Sequence, residues 1–209
     1  GPNFKKPGKR ILRKERQRKG PRLFSAEEIL AVINAAGLQL RAMTLLGINC
    51  GFGQTDCANL PLSLFDPLSG WIEYPRPKTA VERRCPLWPE TLYAVQAYLP
   101  IRPEPRSAED ADILFLTRTR RRWVRLNDDA VAKEFSKLLT ELGIKRPGLN
   151  FYALRHTFET IAGESKDQVA VDAIMGHANH DMASLYRQGI SDDRLFETTE
   201  TVRRWLFSK

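Results

Sequence analysis

Cysteine and histidine are both scarce, with three of each in 209 residues. Three cysteines cannot all pair. Cys50, Cys57 and Cys85 also lack the spacing of metal ligands, which argues against both a disulfide scaffold and a zinc site. The expectation is reduced, partly buried thiols in a cytoplasmic setting. No run of 18 or more apolar residues occurs, so a transmembrane helix is not indicated and no membrane partner is expected. No secretory leader opens the sequence. Internal repeats are missing, and low complexity is confined to the first residues. What remains is the composition of a globular chain, 42% hydrophobic and 28% charged.

The net charge of +8 is concentrated at one end. Residues 1–22 hold ten basic side chains (Lys5, Lys6, Lys9, Arg10, Arg13, Lys14, Arg16, Arg18, Lys19, Arg22) against Glu15, a net of +9 that leaves −1 for the other 187 residues. So dense a run, broken by Pro and Gly, suits an arm that binds a polyanion. Nucleic acid is favoured over a membrane because no apolar helix face accompanies the charges. Gly1-Pro2 reads as the remnant of a cleaved tag, in which case the chain is part of a longer protein.

Beyond the arm the periodicity is mostly helical. "LFSAEEILAVINAA" opens a helix with Ser25 as N-cap and Glu28 three residues on, a capping box. Ile29, Leu30, Ile33 and Leu38 form its core-facing stripe. "LQLRAMTLLGINCGFG" reads as a buried helix ending in a glycine turn at Gly51 and Gly53. A short helix follows near Thr55 and Asp56, stopped by Pro61. "GWIEYPRPKT" and "ERRCPLWP" suggest an antiparallel hairpin. "PETLYAVQAYL" returns to helix, and "ADILFLTRTRRRWVRL" suggests a short strand and a basic turn. Asn127 or Asp128 is placed to cap the next helix. Helices are expected from Tyr152 to the end, the last with Leu195, Val202, Trp205 and Leu206 on one side. The fold expected is mainly α with a small antiparallel β-hairpin inserted after the third helix.

Four side chains stand out chemically. "YALRHTFET" sets Arg155 in a helix beside His156, and "MGHANHDMASLY" places His177 and Tyr186 22 and 31 residues after Arg155. Lys78 lies at the expected hairpin tip. Together these are the parts for attack on a phosphodiester. A Tyr hydroxyl is the nucleophile, cations stabilise charge on the non-bridging oxygens, and an acid such as Lys protonates the leaving oxygen. His180 reads as a surface residue.

The pattern "LRHTF", then "MGH", then Tyr nine residues on resembles the catalytic domain of the tyrosine recombinases, or phage integrases, from about Leu23 to the end. The resemblance implies that Tyr186 forms a 3′-phosphotyrosyl link to double-stranded DNA and releases a 5′-hydroxyl. It implies that Arg155 and His177 hold the scissile phosphate, that Lys78 is the general acid, and that neither metal nor cofactor is required. Asp56 stands where the family carries an acidic residue that orients the site. The implied organisation is a catalytic domain over residues 23–209, with residues 1–22 as a linker from an upstream DNA-binding domain. Four such protomers would assemble on DNA in the nucleoid, as a homo-oligomer. The C-terminal helix would pack either on a neighbouring protomer or back onto its own domain.

Two positions depart from the family. Gly53 stands where the first arginine belongs, and Tyr152 stands where a His is expected as base or proton relay; His156 is read as packing its helix against neighbours. Losing one transition-state donor commonly costs about 10²–10³ in rate. Arg41, Arg83 or Arg84 could fill the gap, and Gln54 could add a neutral hydrogen bond. The alternatives are a DNA-binding protein that has lost catalysis, or a relaxing enzyme of the type IB topoisomerase kind.

Overall fold

The computed structural model describes Gly8, Arg10 and residues 22–125, 128–177 and 189–208. Helix α1 (Ala26–Ala35) begins with the expected capping box: Ser25 Oγ accepts from the Glu28 amide at 3.2 Å, and Glu28 Oε2 accepts from the Ser25 amide at 3.0 Å. It buries Ile29, Val32 and Ile33. Helix α2 (Leu38–Asn49) is buried at every position from Ala42 to Asn49, so it forms the centre of the domain. The short α3 (Gln54–Ala58) follows a glycine turn.

Next comes the hairpin, β1 (Trp71–Glu73) antiparallel to β2 (Arg84–Pro86), with Ile72 opposite Cys85. Helix α4 (Pro89–Tyr98) packs on α2. Its start is fixed by Asn49, fully buried at the end of α2. Asn49 Nδ2 donates to the Pro86 carbonyl at 3.0 Å, and its Oδ1 accepts from the Trp88 amide at 2.8 Å and the Thr91 hydroxyl at 2.9 Å. A two-residue ladder, β3 (Val124–Arg125) with β4 (Asp128–Asp129), precedes α5 (Ala130–Glu141). Helices α6 (Phe151–Ala162), α7 (Gln168–Met175) and α8 (Asp192–Phe207) complete the domain.

Three local expectations need correction. The segment around Ile113–Leu116 makes isolated bridges to Pro61 and Arg122 and is not a regular strand. All four of its residues are buried, so side chains take the place of a ladder. Arg102 donates to the Ala111, Ile113 and Leu114 carbonyls, and Gln39 Nε2 donates to Leu116 O. Helix α5 is capped by Asp129, whose Oδ1 accepts from the Ala132 amide at 3.0 Å. Asn127 lies outside the described residues. The three thiols are wholly buried rather than partly so, and burial pushes those of Cys50 and Cys57 well up.

The C-terminal helix packs on its own domain. Leu195, Thr198, Thr199, Val202 and Leu206 are buried on α8, which lies against α6, β2, α1 and α7. Trp88 Nε1 donates to the Thr199 carbonyl at 3.2 Å, and Arg203 reaches back to Glu90 at 2.8 Å. Among the described residues no helix is long and apolar enough to cross a membrane.

Several carboxylates are held below their usual range by arginine partners: Glu28 by Arg146, Glu90 by Arg203 and Asp167 by Arg194. A carboxylate with a depressed folded pKa contributes stability above its unfolded pKa and loses it as pH falls through the folded one. The melting temperature should therefore decline as pH drops into and below the ordinary carboxylate range. Glu90→Gln should flatten part of that decline in thermal melts from pH 7 to pH 3; an unchanged slope would exclude this ion pair as a contributor.

Candidate active site

The site gathers where the ends of α2, α6 and α7 meet the hairpin. Asn150 caps α6 through the Ala153 amide at 3.1 Å, which sets the phase that turns Arg155 inward. Arg155 is only 2% exposed. Its Nη1 donates to the Gly51 carbonyl at 2.6 Å and its Nη2 to the Met175 carbonyl at 2.7 Å, tying the end of α2 to the end of α7. Burial pushes its guanidinium down from the ordinary value, and like charge on Arg76 and Arg83 adds to the effect, against Tyr152 and Asp56. Gly51, at φ +63°, permits the approach; a Cβ there would lie 3.0 Å from Phe158.

Gly53 is the N-cap of α3 with an ordinary extended backbone. Its amide donates to Asp56 Oδ2 at 2.8 Å. The space beside it is taken by Tyr152, whose ring carbons would lie 3.3 Å from any Cβ at position 53. The two departures therefore touch each other. Tyr152 is partly exposed, and its ring meets His156 edge-on with centroids 5.1 Å apart. His156 is itself exposed, not packed between helices as its sequence context suggested, because its place on α6 faces away from the core.

The candidates for the missing cation separate cleanly. Arg41 donates to the Ile33 and Asn34 carbonyls at the end of α1. Arg84 stacks on Trp71 and pairs with Glu73 and Asp192. Arg83 alone of the three pairs with Asp56, the acid that also receives the Gly53 amide. It is 3% exposed, its Nη2 lies 3.2 Å from Asp56 Oδ1, and its Nε donates to the Tyr74 carbonyl at 2.9 Å. The guanidinium lies over the Phe52 and Tyr74 rings, at 4.5 and 5.2 Å. Gln54 lines the neighbouring cleft with a buried Oε1 that has no hydrogen-bond partner among the described residues.

A cleft of about 510 Å³ is bounded by Gly53, Gln54, Thr55, Asp56, Arg76, Pro77, Lys78 and Tyr152. Lys78 is exposed in the turn between β1 and β2. Arg76 was not singled out in the sequence, although it stands two residues before Lys78 in "PRPK". Its Nη1 donates to the Gly176 carbonyl at 3.3 Å, joining the hairpin to the residue before His177. His177 is half-buried, with Nδ1 3.1 Å from Asp172 Oδ1 and its amide donating to the Asp172 carbonyl at 2.9 Å.

Tyr186 and His180 lie outside the described residues, as do Lys5, Lys6, Lys9, Arg13, Lys14, Arg16, Arg18 and Lys19. Of the arm, Arg10 and Arg22 are described, and both are exposed. No cluster able to hold a metal is found among the described residues. Among the described residues, Asp56 pairs with Arg83 and acts on Arg155, one carboxylate beside the cations Arg155, Arg83 and Arg76. That surplus of positive charge, largely shielded from water, suits an anion.

The fold is that of tyrosine recombinase catalytic domains. The structure of XerA recombinase superposes with a TM-score of 0.64 at 23% identity, over 88% of this chain and 65% of that one. The integrase from mycobacterium phage Brujita gives 0.65 at 20% identity, over 95% and 60%. The Tn1549 transposon integrase in complex with circular intermediate DNA gives 0.65 at 19% identity, over 87% and 67%. The Phage integrase family model matches residues 22–191, and the chain belongs to that family. Tyrosine recombinase XerC of Natranaerobius thermophilus is 27% identical over 183 residues, 82% of this chain and 60% of that protein. This chain therefore spans about 60% of the length of the curated relative it matches.

Proposed function

We propose that the chain is the catalytic part of a site-specific DNA strand transferase that works through a 3′-phosphotyrosyl intermediate at Tyr186. The observation that carries this reading is one cleft lined by Arg76, Asp56 and the hairpin lysine, Lys78, with the buried Arg155 feeling the charges of Arg76 and Asp56 beside it, and with His177 directly after Gly176, whose carbonyl accepts from Arg76. A phosphodiester is the anion such a set suits. The Tyr186 hydroxyl attacks phosphorus, and the bond from phosphorus to the 5′ oxygen breaks. Lys78 supplies the proton that oxygen takes up, and Tyr152, at the sequence position of the family's His, takes the part of proton relay. Arg155 and His177 hold the non-bridging oxygens. The ester is exchanged rather than spent, so a 5′-hydroxyl can reverse the step or complete transfer to a new strand.

Duplex DNA as the partner is supported by the Tn1549 integrase, which was solved in complex with DNA. Residues 1–22 act in this reading as a basic linker from an upstream DNA-binding domain, in keeping with the greater length of the relatives. Protomers meet as a tetramer on DNA, and the protein works in the cytoplasm at the nucleoid.

The test is a covalent-adduct assay. A nicked suicide duplex from the ends of the mobile element that carries the gene is incubated with the chain and run on a denaturing gel. The expected result is a protein–DNA band that maps by peptide mass to Tyr186 and vanishes in Tyr186→Phe. Specific binding without any adduct would point instead to a DNA-binding protein that has set catalysis aside.

A further inference from the structure

The charge missing at position 53 has a specific replacement. Asp56 receives the Gly53 amide on one oxygen and Arg83 on the other, so one carboxylate joins the vacant family position to a guanidinium that arrives from the hairpin. Arg83 is 3% exposed, yet among the described residues its Nη1 has no hydrogen-bond partner. A buried guanidinium nitrogen left unmatched is costly, which is a reason to look for a ligand that completes it. The rest of the side chain is fixed. Nε is held by the Tyr74 carbonyl, Nη2 by Asp56, and the flat face rests on Phe52. Gly176 leaves room for its stem, since a Cβ there would come within 2.7 Å of Arg83 Cδ. The space a side chain at position 53 would use is meanwhile filled by Tyr152.

We propose that Arg83 is a catalytic residue of this chain: its unpartnered Nη1 donates to a non-bridging oxygen of the scissile phosphate, in the role Gly53 cannot fill. This assignment deepens the strand-transfer reading and rests on it for the identity of the anion. In chemical terms the arginine has moved from the start of α3 to the residue that leads into β2, and Asp56 orients it from there. Arg155 and Arg83 then hold the phosphate from two elements, with Lys78 left free to serve the leaving oxygen.

Two measurements test this. Inorganic phosphate is titrated into the chain while the arginine Nε–Hε resonances are followed by NMR, with Arg83 assigned through Arg83→Lys. Millimolar phosphate should shift the Arg83 and Arg155 signals, and Arg83→Gln, which keeps a donor for the Tyr74 carbonyl, should weaken binding at least tenfold. An Arg83 resonance that stays put at saturating phosphate, or that shows no response to it at all, overturns the assignment. The parent alone decides this arm if the variant fails to fold.

The second measurement uses suicide duplexes with either phosphate or neutral methylphosphonate at the scissile position. Arg83→Gln should form adduct about 10²-fold more slowly than the parent on phosphate. On methylphosphonate, which carries no charge to neutralise, the two should agree within a few-fold. Equal deficits on both substrates would mean that Arg83 only supports the fold, and would sink the proposal. A parent that forms no adduct on either substrate counts against strand transfer itself, and the phosphate titration then decides the role of Arg83 alone.

Discussion

Arg155→Ala should reduce covalent-adduct formation by at least about 10³-fold, with specific DNA binding changed far less. A single preorganised donor aimed at developing charge is commonly worth about 10²–10³ in rate, and a guanidinium offers more than one. Of its five N–H donors, the described residues engage two, at the Gly51 and Met175 carbonyls, which leaves the others for a phosphate. Those two bonds also make the arginine rigid before substrate arrives, so little reorganisation is needed as charge builds. Arg155→Lys should recover little of the loss. An ammonium carries the charge, but it cannot bridge the ends of α2 and α7 while presenting a flat pair of donors between them. The variants will also be less stable, since two buried carbonyls lose their partners at about 1–3 kcal/mol each. Adduct rates should therefore be compared well below the lower melting point, beside a salt-matched binding titration. A variant that still cleaves within tenfold of the parent would mean that Arg155 is a structural tie and nothing more.

Much of this was legible from short-range chemistry. The capping box at Ser25 and Glu28, the hairpin around "RPKTAVE" and the helix carrying Arg155 are written in neighbouring residues, and the structure places them as read. What could not be read depended on contacts across the chain. Arg83 and Arg84 are neighbours in sequence, and only the hairpin register tells them apart. Arg84 lies in β2 and is drawn outward to Glu73 and Asp192, while Arg83, one residue earlier, is turned inward against Phe52. Alternation along a strand makes this outcome all or nothing, because a shift of one residue would exchange the two side chains. The segment at Ile113–Leu116 misled for a similar reason. Its apolar run suits a strand, but beyond single bridges to Pro61 and Arg122 its partners include the side chains of Arg102, Gln39 and Tyr98. His156 had a neighbour in sequence, Arg155, that is buried, yet one step along a helix turns the next residue to solvent.

Gly176 makes the same point from the other side. In the sequence Gly176 is simply the residue before His177 in "MGH", with nothing local to explain it. The structure supplies two causes at once. Gly176 caps α7 at φ +63°, ψ +44°, the left-handed region that a β-branched residue reaches only under strain. A Cβ would also press on the site itself, 2.7 Å from Arg83 Cδ and 3.1 Å from Arg76 Cβ. Gly176→Val should therefore cost about 1–2 kcal/mol for the backbone and about 1–3 kcal/mol more for overpacking. That is a large part of the stability of a domain this size, commonly about 5–15 kcal/mol in total. Chemical denaturation should show the loss as a lower midpoint at an unchanged slope. Part of the strain can be relieved by swinging Arg83 away, and this gives the substitution a second signature. Phosphate affinity should fall in Gly176→Val even where the protein remains folded, and Gly176→Ala should show both effects in weaker form. A valine variant that melts within a degree of the parent and binds phosphate as well would mean that the turn before His177 opens without disturbing either arginine. The glycine would then be required neither by its backbone nor by the space beside it, and the close fit between α7 and the hairpin would not be what holds the cations in place.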